Sequence, residues 1–233
     1  MRSGIPIVAL DVPSLNRARG MVELLGSACD WYKVGLQLFA AEGPTVVTWL
    51  RGQGKQVFLD LKLHDIPNTV RGAAQAAAGH GASLLTVHAS GGAEMVTAAV
   101  EGAGAQDGTG CGILGVTVLT SLSAAQLGAG WGRPVASVAD EVLRLAGLTA
   151  ETGAHGIVCS GHEAAAVRAV HPGLRLLVPG VRAAGAPVQD QARVVTPQAA
   201  SRAGATYVVL GRMITGASDP VAAYRAAVAE LAG

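Results

Sequence analysis

The densest chemistry in this 233-residue chain lies in Asp60-Leu61-Lys62-Leu63-His64-Asp65. In an extended strand Asp60 and Lys62, two positions apart, project to the same side, so a carboxylate stands next to an ammonium. Asp65, three residues on, falls in the loop beyond the strand end and is free to reach elsewhere. Opposite charges favour the ammonium form of a lysine. Such a group suits stabilising a carbanion as it develops and then protonating it. It does not suit Schiff-base attack, which needs the neutral amine. Taken alone, D-x-K is equally a structural ion pair. Lys33, within the run Trp31–Gly35, shifts the balance, because two lysines and two acids gathered at one place are costly merely to hold a fold together.

These residues need a scaffold that delivers them to one place. Eight β-branched runs occur along the chain: Ile5–Val12, Trp31–Gly35, Val57–Leu63, Leu84–His88, Ile113–Thr120, Gly156–Ser160, Leu174–Val181 and Tyr207–Gly211. Most are apolar at alternate positions on both faces, as strands buried on both sides are. Between them lie segments with helical spacing: Leu15–Leu25, Leu36–Leu50, Asn68–Ala78, Ala93–Val100, Ser137–Thr149, His162–Val170, Thr196–Ala203 and Pro220–Leu231. Ser14, Asn68, Ser137, Thr196 and Asp219 stand where N-cap oxygens are useful. This alternation predicts an α/β protein, a single (β/α)8 TIM barrel spanning residues 1–233, with parallel strands inside and helices outside.

On that scaffold Asp11, Lys33, Asp60, Lys62 and Arg212 all fall at the C-terminal ends of strands, the face where barrel enzymes place their sites. The loops after strands seven and eight carry Pro179-Gly180-Val181-Arg182 and Leu210-Gly211-Arg212. Each joins a glycine, which permits close backbone approach, to an arginine, whose planar fork matches phosphate. Tight turns with solvated arginines would give the same pattern. The longest loop, Gly180–Gln189, has the character of a lid. His88, at the end of the fourth strand, is in position to line the site but reads first as a satisfied core histidine, whereas His80, His155 and His171 read as surface residues. Gly102–Gly104 follows a helical segment and is no dinucleotide loop.

Composition excludes other classes. The chain is 50% hydrophobic, 3% aromatic and 14% charged with 32 glycines, so its core must be Ala, Val, Leu and Ile. A formal net charge of +1 without a Lys/Arg cluster offers no surface for nucleic acid or an anionic membrane. No charge occurs between Asp107 and Arg133, but its glycines, serines and threonines make that window a buried strand flanked by loops and not a membrane span. Cys29, Cys111 and Cys159 read as buried thiols in a reducing cytoplasm. The N-terminal residues carry no secretory pattern, and no His/Cys/carboxylate cluster indicates a metal.

From end to end the chain resembles the orotidine 5′-phosphate decarboxylase family in its shorter bacterial form. The resemblance rests on Ala9-Leu10-Asp11, Tyr32-Lys33-Val34-Gly35, the run from Asp60 to Thr69 through His64-Asp65-Ile66-Pro67-Asn68, Thr86-Val87-His88-Ala89, Val118-Leu119-Thr120-Ser121, the two Gly-Arg segments and Asp190-Gln191. It implies a cofactor-free homodimer. Lys62 would donate the proton within an array of Lys33, Asp60, Lys62 and an Asp65 contributed by the partner subunit. Asp11 and Lys33 would contact ribose hydroxyls, Thr69 would cross the interface beside Asp65, and Thr120 would lie near the pyrimidine. Arg182, Gln191, Gly211 and Arg212 would hold the phosphate and the closing loop. Magnesium-dependent sugar-phosphate decarboxylases and synthases of the same superfamily share D-x-K-x-x-D. They resemble one another in an acidic residue where this chain has Lys33.

Overall fold

The computed structural model describes residues 4–104, 110–182 and 194–233. Eight parallel strands, β1 (Ile5–Ala9), β2 (Trp31–Gly35), β3 (Gln56–Leu63), β4 (Leu84–His88), β5 (Gly112–Val116), β6 (Gly156–Val158), β7 (Arg175–Val178) and β8 (Tyr207–Leu210), pair in chain order. β8 returns to β1 with Ile5 opposite Tyr207 and Val8 opposite Leu210, which closes the barrel. The helices between strands lie outside: α1 (Leu15–Leu25), α2 (Leu36–Glu42), α3 (Thr45–Gly52), α4 (Pro67–Gly79), α5 (Ala93–Gly102), α6 (Ala124–Trp131), α7 (Val138–Ala150), α8 (Gly161–Val170), α9 (Pro197–Arg202), α10 (Arg212–Thr215) and α11 (Pro220–Ala232). No helix among the described residues is long and apolar enough to cross a membrane.

Strand alternation divides the apolar residues into two cores. Val8, Tyr32, Val57, Leu59, Leu85, Leu176 and Val208 point outward and pack under the helices. Ile7, Ala9, Phe58, Leu84, Leu114, Leu177, Tyr207 and Val209 fill the barrel interior. The two-residue period places Lys33, Asp60 and Thr86 in register with the interior set, so the charged groups share the inner face with Phe58 and Leu84. Small residues let the outer layer approach closely. A Cβ on Gly115 would lie 2.7 Å from Thr149 Oγ1, so β5 presses directly against α7.

Several boundaries differ from the sequence expectation. Strands β1, β5, β6, β7 and β8 end earlier than their expected runs: beyond the ladder Asp11, Val118, Thr120, Pro179 and Gly211 line the mouth of the barrel, whereas Ser160 caps α8. The run Leu36–Leu50 is two helices: Gly43 takes φ 62°, a left-handed value favouring glycine, and Pro44 restarts the chain into α3. Asn68 does not cap α4; Ile66 is the N-cap and Pro67 the first helical residue. Ser137, Thr196 and Asp219 do accept backbone N–H bonds at their helices, while Ser14 occupies its N-cap without a side-chain bond. The uncharged window holds a helix as well as β5. Ser123 and Gln126 form a reciprocal capping box at the start of α6. α6 is tied to α7 by Glu141, which accepts hydrogen bonds of 2.6 Å from Arg133 and 2.8 Å from Arg144. Against the opposing effect of burial, these two guanidiniums hold the Glu141 carboxyl below the usual range.

The N-terminal mouth is plugged by Trp31, Tyr207 and His155. His155 is not a surface residue: its Nε2 lies 3.0 Å from Tyr207 Oη. Burial, with Arg175 nearby, pushes its pKa from 6.5 down to about 4. A histidine depressed in the fold contributes fully above its unfolded pKa. It destabilises as pH falls, because the unfolded chain takes up the proton first. Between neutral pH and about pH 4.5 this group should cost on the order of 2 kcal/mol of stability. Urea denaturation at both pH values checks it: the acid loss in the native protein is expected to shrink in His155→Gln.

Candidate active site

At the C-terminal mouth the strands end around a cavity of about 460 Å³. One wall is a line of charges of alternating sign. Asp11, just beyond β1, accepts a 2.6 Å bond from Lys33 Nζ. Lys33 Nζ lies 3.8 Å from Asp60 Oδ2. Lys62 Nζ donates to both Asp60 oxygens, at 2.8 and 2.9 Å. The Lys33 side chain is 10% exposed and that of Asp60 14%, whereas Lys62 at 29% is more open to the cavity. Charge-assisted bonds of this length are the strong kind, and the pairing offsets the cost of removing each group from water.

The strand that carries this pair is not regular. Leu59 pairs with Leu85, but Leu63 pairs with Val87, so β3 spends two more residues than β4 over this span. Lys62 has φ 50°, the one positive φ outside glycine among the described residues. Its backbone N–H donates 2.9 Å to Thr86 Oγ1, and the same hydroxyl donates 3.0 Å to Asp60 Oδ1. Asp60 and Lys62 therefore share a side through a bulge and not through simple strand alternation.

Two glycines belong to the site. A Cβ on Gly35 would lie 2.7 Å from Lys33 Nζ and 2.9 Å from Asp11 Oδ1, so a side chain here would push both ends of that ion pair out of their present positions. Gly180 takes φ 72° as the chain turns from β7 toward Arg182. Arg182 beyond β7 and Gly211 and Arg212 beyond β8 line the same cavity, as does buried Thr120 beyond β5. Arg182 Nη1 also donates 2.9 Å to the Val181 carbonyl. Arg212 opens the short helix α10, which was not foreseen in the sequence.

The structure does not bring every expected residue into the cavity. Asp65 and Thr69 are exposed beyond β3, and the Asp65 carboxylate accepts the Ile66 N–H at 2.7 Å. Gln191 and the loop through 183–193 lie outside the described residues. His88 is half-buried with its ring centroid 5.5 Å from that of exposed His64. Burial, then His64 and Lys62, lower its pKa. Sequence reasoning missed the placements of Thr86 and Gly35. The parity of β4 was the available signal for Thr86, since it shares the inner face with Leu84. Among the described residues no group of three or more His, Cys, Asp or Glu is placed to hold a metal ion.

A closed parallel barrel with its ionisable cluster at the C-terminal mouth has the architecture of a (β/α)8 enzyme. The chain belongs to the family described as "Orotidine 5'-phosphate decarboxylase / HUMPS family", whose model matches residues 5–227. It is 57% identical over 226 residues to the orotidine 5'-phosphate decarboxylase of Anaeromyxobacter dehalogenans, covering 96% of each chain. To the enzyme of that name from Streptococcus pneumoniae serotype 19F it is 45% identical over 228 residues, covering 97% of this chain and 96% of the other. The crystal structure of orotidine 5'-phosphate decarboxylase from Lactobacillus acidophilus superposes with a TM-score of 0.85 at 36% identity, over 100% of both chains.

The Gly35 contact yields a direct test. Gly35→Ala should break the Lys33–Asp11 bond and lower turnover at least about tenfold, the scale of one lost charged hydrogen bond, with an unchanged far-ultraviolet circular dichroism spectrum. Retention of full activity would show that the ion pair tolerates the added methyl.

Proposed function

We propose that this chain decarboxylates orotidine 5′-phosphate to uridine 5′-phosphate, the last step of pyrimidine nucleotide synthesis, without a cofactor and as a cytoplasmic homodimer. The observation that carries this reading is the Lys62 ammonium. It is bonded to both oxygens of Asp60 and opens onto a cavity that Arg182, Gly211 and Arg212 also line.

The bond from C6 of the pyrimidine to its carboxylate breaks, carbon dioxide departs, and the electron pair stays on C6 in the plane of the ring. No carbonyl is positioned to accept that charge, so stabilisation must be electrostatic. The Lys62 ammonium interacts more strongly with the developing carbanion than with the substrate, and this difference accelerates the reaction. Lys62 then transfers a proton to C6, and the resulting amine takes a proton from water. Asp11 and Lys33 would receive the ribose hydroxyls and Thr120 the pyrimidine. Arg182, Gln191, Gly211 and Arg212 would hold the phosphate, whose binding energy orders the site from a distance. The exposure of Asp65 and Thr69 supports their delivery to the neighbouring subunit's cavity.

An ultraviolet assay of orotidine 5′-phosphate consumption, with and without a chelator, tests the reaction. Rapid, chelator-insensitive loss is expected. No loss, or loss that requires magnesium, would transfer the assignment to a sugar-phosphate activity. Lys62→Ala should nearly abolish turnover while still binding uridine 5′-phosphate; Arg212→Ala should raise KM strongly and lower kcat less.

The shared site has its own test. Mixing Lys62→Ala with Asp65→Ala chains should restore turnover, because a mixed dimer would contain one intact site. Mixed dimers without activity would remove Asp65 from the partner's cavity.

A further inference from the structure

We infer that Thr86 is a positioning residue, setting the Asp60–Lys62 pair from the neighbouring strand by fixing the conformation of the bulge that carries it. This inference rests on the role proposed for Lys62. Thr86 is completely buried on β4, at the level where β3 and β4 fall out of register. There β3 must turn through a lysine at φ 50°, a left-handed conformation that side chains with a Cβ resist. The Lys62 N–H at this bulge is satisfied by a side chain, Thr86 Oγ1 at 2.9 Å.

The direction of the second bond follows from the first. A backbone N–H can only donate, so it occupies a lone pair of the hydroxyl, and the single hydroxyl proton is left for Asp60 Oδ1 at 3.0 Å. One oxygen atom thus holds both ends of the functional pair: the main chain of Lys62 and the carboxylate that orients the Lys62 ammonium. A threonine is apt for this, because its branched side chain restricts the hydroxyl to few rotamers. Valine has the same shape without the hydroxyl. It would leave a buried N–H without an acceptor and free the carboxylate to rotate.

The experiment compares Thr86→Val and Thr86→Ser with the native protein and with Lys62→Ala, reading kcat and KM for orotidine 5′-phosphate separately, with the melting temperature. Thr86→Val is expected to lower kcat about 30-fold, as two weakened hydrogen bonds to a charged pair imply. KM should move by less than about threefold, since this hydroxyl does not face the phosphate end of the cavity. Thr86→Ser keeps the oxygen and should recover most of kcat. A folded Thr86→Val protein with native kcat and only a lowered melting temperature would reduce Thr86 to a packing residue. Should Thr86→Val not fold, Thr86→Ser decides alone: kcat within a few-fold of native upholds the hydroxyl's role, and kcat lowered about 30-fold overturns it. Native activity in Lys62→Ala would instead overturn the role proposed for Lys62.

Discussion

The contact between the Asp60 carboxylate and the Lys62 ammonium, 2.8 Å at its shortest, is the interaction around which the upper half of the barrel is arranged. A charge this far from bulk water is costly unless an opposite charge and further hydrogen bonds accompany it. The chain meets the requirement with a series, Asp11, Lys33, Asp60 and Lys62, in which each member has a neighbour of opposite sign. The series carries no net charge, so a dianionic or trianionic ligand meets no excess of carboxylate. Its terminal lysine is the more exposed of the two, with its positive charge directed into the cavity.

A barrel is suited to hold such a series because adjacent strands deliver inward side chains at matched heights. Lys33 pairs in register with Phe58, two residues before Asp60, and Thr86 follows Leu84 on the same face of β4. The apolar layer of Ile7, Phe58, Leu84, Leu114 and Leu177 lies beneath and excludes water from below. The geometry demands local concessions. Glycine at position 35 removes the side chain that would strike the Lys33–Asp11 pair, and Lys62 accepts a left-handed backbone. Both concessions fall within a few ångströms of the charged series, whereas the strands below are regular.

Much of this was legible in the sequence because strands buried on both sides leave long apolar runs, and charges within such runs stand out. Trp31–Gly35 and Leu84–His88 match their strands in full, and Lys33, Asp60 and Lys62 were recognisable as intruders in otherwise apolar segments. The strand ends were less legible. Apolar residues such as Val118 continue past the ladder to line the cavity, so the hydrophobic pattern does not end where hydrogen bonding does. α6 escaped notice because three of its eight residues, AAQLGAGW, are Gly or Trp. The break at Gly43 was masked by apolar residues on both sides. Nothing local marked Lys62 for a positive φ; that follows from the register of β3 against β4, a property of the pair of strands.

The two mouths of the barrel divide stability from chemistry. At the N-terminal mouth Trp31 and Tyr207 pack with tilted rings, centroids 5.7 Å apart, and His155 is held against Tyr207, so bulky groups crowd that end. At the C-terminal mouth charged and polar residues such as Asp11, Thr120, Arg182 and Arg212, just beyond the strand ends, line a cavity of about 460 Å³, within the usual range for small-molecule sites. The electrostatic mechanism proposed here requires that asymmetry. A charge accelerates a reaction to the extent that it is already oriented before the transition state forms. A lysine on a flexible loop would spend that advantage on reorganisation. Here the ammonium is held by a carboxylate, the carboxylate by a buried hydroxyl, and the hydroxyl by a strand whose other face is packed under helices. The rigidity of an Ala, Val and Leu core is thereby transmitted, through one oxygen atom on β4, to the atom proposed to deliver the proton.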